Sequence, residues 1–386
     1  MPDTTMKILH VTPCIYPATR WGGPAYSVHA LCNGLAARDD VDLRVIANDA
    51  AGPERNDRLI DSPELQRHYP GYRVQLSHRL IGHAIAADIF PLLWREAADA
   101  DVIHATATYN FTTLAAFIVA RLRGKPLMWS PRGALQASAE WSESTQPLGK
   151  RLWERALRII APARTMMHVT AEAERQPSQA RMPGFGAVVI PNGIDLPATT
   201  TPIPPIEGRQ VRLMFLSRVH PKKGTGLLIE ALARLGAGYR LDIYGTGESA
   251  YLAELAELAA RLNIADRIAF HGHVDGAAKD AAYAAADMMV LPTHSENFGL
   301  VIAEALAAGR PVVTTKQAPW AGLETHDCGR WVDNDLDAVV AAVREVAAAD
   351  MDAMGQRGRA WMASDFGWDG IATQMAAAYR RLVTTS

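Results

Sequence analysis

The chain has 386 residues, of which 49% are hydrophobic and 21% are charged, and its formal net charge at pH 7 is -2. This length suits two domains, and the near-neutral balance argues against the basic surface of a nucleic-acid-binding protein. The three cysteines are widely spaced, form no metal-ligand pattern and suit a reducing compartment. The first residues lack the apolar core of a signal peptide and no apolar run reaches about 18 residues, so we expect a cytoplasmic protein without a membrane span.

Strand-like and helix-like runs alternate along the first half of the chain. The predicted strands are residues 6–12, 41–47, 101–105 and 126–130, and the predicted helices are residues 25–38 and 111–123. Such alternation predicts a parallel sheet covered by helices on both faces.

Residues 191–208 are dense in proline and threonine and show little periodicity, which predicts a linker. The alternation then resumes, with predicted strands at 211–217, 239–244, 268–271 and 287–291 and predicted helices at 226–235 and 249–262. The simplest architecture has two doubly wound domains, residues 1–190 and 209–368, facing each other across a ligand cleft.

Residues 293–309, THSENFGLVIAEALAAG, follow a buried strand and lead through a short polar loop into a helix. The N-terminus of such a helix is an anion site, because its backbone N–H groups and dipole favour negative charge. Glu296 precedes the helix and Glu304 lies within it. Were the whole interval helical, the two carboxylates would stand roughly 12 Å apart and about 80° around the axis, on nearly one side. A diphosphate at the helix mouth would then have a carboxylate on each side for sugar hydroxyls, although an isolated pair at this spacing is more often a solvated and a capping residue.

The other motifs of the second half also follow predicted strands. Arg218 and Lys223 lie five residues apart on one loop and together match the charge of a diphosphate, although a solvated basic turn has the same appearance.

The turn at Gly245 and Gly247 satisfies a loose dinucleotide-binding pattern that also occurs in dehydrogenases, but the acidic residue expected at the end of the next strand is missing. We interpret it as a tight turn that lets the backbone approach a nucleotide. The loop of His271, His273 and Val274 follows another strand; it favours contact with a base edge over metal binding, because no further ligand stands at metal spacing.

Taken together, these motifs resemble the retaining glycosyltransferases of family 4, which have the GT-B fold of two facing Rossmann-like domains. The N-terminal half adds the Gly22-Gly23 loop, DVIH at 101–104, SPRG at 130–133 and PNGID at 191–195, so the resemblance covers essentially the whole chain. In this fold the last helix, residues 369–386 here, rejoins the N-terminal domain.

The resemblance implies a role for each matching residue. The expected catalytic residues are Glu296 at the donor sugar, Arg218 and Lys223 at the diphosphate, and His104. The expected donor-binding residues are Gly22, Gly23, Gly245, Gly247, His273, Val274, Asn297, Phe298, Gly299, Leu300 and Glu304, the last at the ribose hydroxyls. No metal and no other cofactor is expected, because the nucleotide sugar is itself a substrate.

One position departs from the family pattern. Family members commonly carry a second histidine two residues after the first, near the reacting sugar, and Thr106 stands there in this chain. His104 is therefore assigned to the site although a buried histidine at a strand end is an alternative. Tyr109, Asn110 and Arg132 are the other polar candidates on the acceptor side.

The pattern of apolar and basic residues at 150–164 predicts a basic amphipathic helix, and its apolar face has two possible roles. Its apolar face either packs on the domain's own sheet or docks on a membrane surface, where it would suit a lipid-linked acceptor.

The function that the resemblance implies is transfer of a hexose from UDP- or GDP-hexose, with retention of configuration. The expected acceptor is a glycan or lipid-linked sugar in bacterial surface polysaccharide assembly, such as exopolysaccharide or lipopolysaccharide, at the inner face of the cytoplasmic membrane. The alternatives are a nucleotide-sugar epimerase of the same architecture and a non-catalytic sugar-nucleotide-binding relative.

Overall fold

The computed structural model describes residues 5–52, 54–81, 85–136 and 147–384. The chain forms two compact units. The first comprises the residues up to Gly193 together with those from Trp368 onward, and the second comprises Ile194–Gly367. The C-terminal helix therefore belongs to the first unit, and the proline-rich residues 194–208 belong to the second.

The first unit is built on a parallel sheet. Its strands are β1 (Met6–Thr12), β2 (Val41–Asn48), β3 (Arg73–Ser77), β4 (Val102–Thr106), β5 (Leu127–Ser130), β6 (Thr165–Val169) and β7 (Gly186–Val189). They lie in the order β3-β2-β1-β4-β5-β6-β7. Its helices before the second unit are α1 (Gly23–Ala36), α2 (Pro63–Gln66), α3 (Ile89–Glu96), α4 (Phe111–Arg123), α5 (Pro147–Ile160) and α6 (Glu172–Arg181). Strands β4 and β5 are buried at every position, as expected of parallel strands with both faces covered.

The second unit repeats this plan. Its strands are β8 (Val211–Leu216), β9 (Tyr239–Tyr244), β10 (Ile268–Gly272), β11 (Met288–Leu291), β12 (Val312–Thr315) and β13 (Gly329–Val332), in the parallel order β10-β9-β8-β11-β12-β13. Its helices are α7 (Thr225–Leu235), α8 (Ser249–Arg261), α9 (Gly276–Ala285), α10 (Leu300–Ala307), α11 (Gly322–Thr325), α12 (Leu336–Ala348) and α13 (Met351–Asp365).

The last helix, α14 (Trp368–Thr384), returns to the first unit and packs against α1. Its apolar face, which includes Ile371, Met375 and Tyr379, joins the core formed by α1 and the central strands. Within the described residues, no helix combines the length and apolarity needed to cross a bilayer.

Each sheet has one point at which the strand order reverses, between β1 and β4 in the first unit and between β8 and β11 in the second. Loops leaving the carboxyl ends of the two strands diverge at such a point and open a crevice that commonly binds ligands. In the second unit these are residues 217–224 after β8 and residues 292–299 after β11. The topology therefore brings the Arg218–Lys223 loop and the SENFG loop (residues 295–299) to the same edge.

Candidate active site

Helix α10 begins without a side-chain cap at the switch point of the second sheet. Its N-cap is Gly299, which has φ +81° and ψ +60°. A Cβ atom at this position would stand 3.0 Å from the Glu296 Cγ and 3.1 Å from the Ile302 Cδ1, in a conformation that side-chained residues avoid. The Ile302 N–H donates to the Gly299 carbonyl oxygen at 2.9 Å. Because glycine offers no capping side-chain oxygen, the N–H groups of Leu300 and Val301 remain available to an anion.

Lys223 and Glu296 meet in front of this helix. The Lys223 Nζ donates to the Glu296 Oε2 at 2.5 Å, and the two side chains are only 12% and 15% exposed. Their loops pack tightly, since a Cβ atom at Gly224 would lie 1.9 Å from the Pro292 carbonyl oxygen. The structure thus joins a predicted phosphate-binding cation and a predicted sugar-binding carboxylate in one partly buried ion pair.

Glu304 is held by two side chains of the neighbouring helix α9. One of its oxygens accepts from the Lys279 Nζ and the other from the Tyr283 hydroxyl, each at 2.8 Å. Burial, reinforced by the charge of Glu304, raises the pKa of Asp195 above its ordinary value. Because α10 begins only at Leu300, the ideal-helix spacing does not apply to the pair of glutamates; Glu296 lies on the preceding loop.

Arg218 is exposed on the loop after β8, and we find no ion pair for it within the described residues. The nearby glycines have a structural cause that the sequence did not reveal. A Cβ atom at Gly245 would lie 1.8 Å from the Ser217 carbonyl oxygen, and one at Gly247 would lie 2.3 Å from that of Val219. Both glycines let the loops after β8 and β9 run side by side, so this close packing already accounts for them.

The loop after β10 carries two histidines, each beside a different carboxylate. The His271 ring stacks on Tyr244 with centroids 4.4 Å apart, and its Nε2 is 2.8 Å from the Asp242 Oδ1. His273 is exposed and its Nε2 is 3.6 Å from the Asp275 carboxylate. A carboxylate thus lies beside each histidine, but within the described residues no three such groups gather into a metal-ligand set.

A cavity lies at a different edge of the second unit. A groove of about 520 Å³ lies at the amino ends of the strands, where Arg209 pairs with Asp287 at 2.6 Å. None of the predicted site residues lines it. We assign the site to the carboxyl edge because only there do the uncapped helix and the charged motifs coincide.

In the first unit, the predicted glycines lie at the exposed start of α1. Gly22 is the N-cap with φ +75° and ψ -150°, a conformation that favours glycine, and Gly23 is the first helical residue. A Cβ atom at Gly22 would meet nothing within 4 Å, so the backbone angles rather than crowding require glycine there. This helix, like α10, begins without a side-chain cap.

His104 is fully buried, which corrects its assignment as a residue that contacts the sugar. Its Nδ1 lies 2.6 Å from the Tyr379 hydroxyl and its Nε2 lies 2.6 Å from the Ser130 Oγ. Burial holds its pKa well below the ordinary histidine value, so the ring is neutral at pH 7. Thr106, at the position of the usual second histidine, is buried as well, with its Oγ1 2.9 Å from the His10 Nε2.

The hydrogen bonds around His104 fix one arrangement of protons. The His168 Nε2 must donate to the Ile190 carbonyl oxygen, so its Nδ1 accepts from the Ser130 hydroxyl. Ser130 then accepts from the His104 Nε2, and the His104 Nδ1 accepts from the Tyr379 hydroxyl. Every group in this series of hydrogen bonds has its partners while neutral, which is typical of a structural network.

The acceptor-side candidates divide into different roles. Asn110 caps α4 by accepting from the Thr113 N–H at 2.9 Å. Tyr109 donates to Glu154 of α5, which also pairs with Arg181. These contacts make Asn110 and Tyr109 parts of the framework that holds the loop after β4.

Arg132 has the strongest geometric case among these candidates. It sits in the left-handed region at φ +56°, and such strain in a side-chained residue is concentrated at functional sites. Its Nη1 donates to the Asn192 Oδ1 at 2.6 Å. Burial lowers its pKa from the ordinary arginine value and the charge of Glu174 opposes that shift, so the group stays a cation at neutral pH.

Comparison with known sequences matches both halves of the chain to related families. Residues 21–197 match the family described as "Glycosyltransferase Family 4", and residues 210–349 match "Glycosyl transferases group 1". The chain belongs to glycosyltransferase family 4. It is an enzyme of the hexosyltransferase class, and the matched ranges contain Gly22 and Gly23 in the first half and Lys223, Glu296 and Glu304 in the second.

Curated relatives include D-inositol 3-phosphate glycosyltransferases. The protein of Arthrobacter sp. (strain FB24) is 26% identical over 409 residues, which cover 97% of this chain and 94% of the relative. The protein of Xylanimonas cellulosilytica is 32% identical over 223 residues, so that match spans only half the length of each chain.

Among solved structures, the Anabaena protein HepE in complex with UDP and glucose superposes with a TM-score of 0.70 at 19% identity, covering 97% of this chain and 100% of that chain. The likeness confirms the predicted fold class, two Rossmann-like parallel-sheet domains of the GT-B type.

Sequence patterns did not single out several residues that lie around Glu304. Lys279 and Tyr283 are four positions apart on α9, so they share one helix face, but only the fold brings that face to Glu304. Asp195 belongs to a motif that supported the resemblance, yet its proximity to Glu304 could not be read from spacing.

Proposed function

We propose that the enzyme transfers a hexose from UDP-hexose or GDP-hexose to a glycan or lipid-linked acceptor with retention of configuration. The contact of Lys223 with Glu296 before the uncapped N-terminus of α10 carries this proposal. In support of it, an ammonium group and a carboxylate lie together before a helix N-terminus at one switch point. The complex of HepE with UDP and glucose, in a protein of the same fold, supports a nucleotide-activated hexose as donor.

The proposed chemistry relies on preorganised positive charge. As the bond between the sugar C1 and the β-phosphate oxygen breaks, negative charge grows on the departing nucleoside diphosphate. Lys223, Arg218 and the N-terminus of α10 stabilise that charge without a metal ion. The acceptor oxygen forms its bond to C1 from the same face, and its proton passes to the departing phosphate, which preserves the anomeric configuration.

The ion pair also explains how two partly buried charges are stabilised. Lys223 and Glu296 neutralise each other where an unpaired charge would be costly. When a diphosphate binds, it pairs with the Lys223 ammonium group in place of Glu296. A sugar hydroxyl then donates to the Glu296 carboxylate. Glu304, held by Lys279 and Tyr283, is left to accept hydroxyl groups of the ribose.

The test is a binding and turnover panel on the purified protein. Thermal shift with UDP, GDP, UDP-glucose and GDP-mannose should show stabilisation by one base, because a ligand that binds only the folded state raises its stability. Nucleoside diphosphate should then be released slowly from the matching donor and faster when the acceptor is added; the acceptor panel includes inositol 3-phosphate, named in the relatives. Stabilisation with no release would indicate a non-catalytic protein, and conversion of donor without acceptor would indicate an epimerase.

We also propose that α5 rests on the anionic inner face of the cytoplasmic membrane, where surface polysaccharide precursors are assembled. Leu148, Leu152 and Ile159 are 72%, 67% and 69% exposed, an unusual exposure for large apolar side chains. Trp153, Leu157 and Ile160 face the protein, so one face of α5 packs on its own domain while the exposed apolar residues are left to contact a membrane in this proposal.

Charge complementarity supports a lipid surface as the occupant of the outer face. Arg151, Arg155 and Arg158 are exposed beside the apolar stripe, and within the described residues we find no carboxylate paired with them. The inner face anchors the helix, because the Trp153 Nε1 donates to the Thr108 carbonyl oxygen at 2.9 Å.

Vesicle sedimentation tests this contact. The protein should sediment with vesicles of phosphatidylglycerol and phosphatidylcholine, less so at high salt, and the triple substitution Leu148→Ser, Leu152→Ser and Ile159→Ser should release it. Ile60→Ser, at a 78% exposed position of the same unit, is the matched control. Sedimentation that persists in the triple variant would exclude this face.

A further inference from the structure

The loop after β12, residues 316–321, contacts the SENFG loop at two points. The Glu296 N–H donates to the Gln317 carbonyl oxygen at 3.1 Å. In the opposite direction, the Trp320 Nε1 donates to the Phe298 carbonyl oxygen at 2.5 Å. We name residues 316–321 the bracing loop, because these two bonds hold Glu296, whose carboxylate is proposed to bind the sugar, and Phe298, which precedes the N-cap of α10.

Trp320 is fixed from behind by aromatic packing. It is 2% exposed, and its ring centroid lies 5.3 Å from that of Phe298, 5.5 Å from that of Phe366 and 5.6 Å from that of Trp361. A Cβ atom at Gly299 would lie only 3.4 Å from the Trp320 Nε1. The indole therefore lies directly beneath the peptide group that leads into α10.

The geometry of the peptide bond links this buried contact to the site. In a planar trans peptide the carbonyl oxygen and the amide hydrogen point in opposite directions. Because Trp320 holds the Phe298 carbonyl towards the core, the Gly299 N–H of the same peptide points away from the core, to the mouth of α10. A glycine at this position could otherwise turn its peptide at little energetic cost.

We propose that Trp320 is a positioning residue that aims the Gly299 N–H at the donor sugar. This inference rests on the proposed function, because it needs a nucleotide hexose bound before α10. The indole touches no substrate; it acts through the Phe298–Gly299 peptide. Its loss should weaken interactions made with the sugar while leaving the diphosphate contacts of Lys223 and Arg218 in place.

Trp320→Phe keeps an aromatic ring and removes the N–H donor. Trp331→Phe is the matched control, because the Trp331 Nε1 donates to the Ala318 carbonyl oxygen of the same bracing loop at 2.7 Å. We expect Trp320→Phe to lower kcat about tenfold and to weaken binding of the sugar nucleotide, with the Kd of the nucleoside diphosphate changed less than about threefold. Trp331→Phe should leave all three quantities near the wild-type values.

The probes are UDP with UDP-glucose and GDP with GDP-mannose, using the pair that the wild-type protein binds. Equal behaviour of the two variants would overturn the positioning role, and so would equal losses of diphosphate and sugar-nucleotide affinity. If Trp320→Phe does not fold, benzothienylalanine at position 320 keeps the ring shape and replaces the N–H by sulfur, with the same outcomes. A wild-type protein that binds neither sugar nucleotide would instead contradict the proposed function, which separates the two failures.

Discussion

The carboxyl edges of the two sheets share a topology but differ in their chemistry. In the second unit, the ion pair of Lys223 with Glu296 before α10 and that of Lys279 with Glu304 between α9 and α10 are both partly exposed. In the first unit, the edge beside β4 is closed by the buried neutral groups His104, Ser130 and His168.

This difference shows that residue type alone does not mark a site. Histidines are common catalytic groups, yet His10, His104 and His168 are buried here and have hydrogen-bond partners. They therefore contribute to stability. The carboxylates and lysines of the second edge keep contact with solvent and with one another, so a ligand can replace either partner. The following predictions separate the two edges by their response to substitution and to pH.

The largest expected effect is on turnover, from Glu296→Gln. The substitution removes the charge that accepts the sugar hydroxyl and pairs with Lys223. We expect kcat to fall by about 10² to 10³, the range seen when one preorganised electrostatic contact is lost. The measurement is release of nucleoside diphosphate in the presence of acceptor. Glu345→Gln, which removes an exposed partner of Arg330, is the control, and equal rates for both variants would contradict the assignment.

The next largest effect is on the stability of the first unit at acid pH. Burial, reinforced by the charge of Arg132, lowers the pKa of His10 and of His168 to about 3 from 6.5. Between these values the unfolded chain binds more protons than the folded one, so the free energy of unfolding decreases as pH falls below 6.5. From pH 7 to pH 5 the loss should be roughly 2 kcal/mol for each histidine, measured by urea denaturation.

A substitution isolates this contribution. His168→Gln keeps an amide donor for the Ile190 carbonyl oxygen but cannot titrate, so the stability of this variant should depend less steeply on pH between 6.5 and 5. His273→Gln, at an exposed position, should leave the wild-type slope unchanged. A His168→Gln slope equal to that of the wild type would show that this histidine is not buried as a neutral group.

The smallest effect concerns the support of Glu304. Tyr283→Phe removes the hydroxyl that donates to Glu304 at 2.8 Å and that lies 3.2 Å from the Val301 carbonyl oxygen. The loss of such hydrogen bonds costs about 1 kcal/mol, so the Kd of the nucleoside diphosphate should rise about threefold to tenfold. Tyr239→Phe, a half-buried tyrosine of the same unit, serves as the control in the same calorimetric titration. Unchanged affinity in Tyr283→Phe would mean that Lys279 alone positions the carboxylate.

Of the thirteen strands in the described residues, the sequence predicted eight and missed five. Strands β1 and β9 agree with the expected bounds to the residue, because their apolar runs are bounded by clear loops. Strands β3, β6, β7, β12 and β13 were not predicted, because four or five residues show no period; β11, which is as short, was predicted because all four of its residues are apolar. The fold class was predicted correctly despite these omissions, because it is defined by the alternation of strands and helices and not by the number of strands.

For the site, the sequence supplied the residues but not their contacts. Lys223 and Glu296 are 73 positions apart, and the strand order, which the sequence does not reveal, brings them together. His104 was misassigned because burial at a strand end depends on α14, which arrives from the other end of the chain to cover it. Gly245 and Gly247 fitted a nucleotide pattern, but their close packing on the neighbouring loop appears only in three dimensions.

The most direct test of the account compares Glu304→Ala with Glu296→Gln in calorimetric titrations of a nucleoside diphosphate and its sugar nucleotide. With the carboxylates at opposite ends of the donor, Glu304→Ala should raise the Kd of both ligands about tenfold, whereas Glu296→Gln should leave the Kd of the nucleoside diphosphate within about threefold of the wild type. If Glu296→Gln abolishes nucleoside diphosphate binding and Glu304→Ala leaves it intact, the proposed orientation of the donor is contradicted.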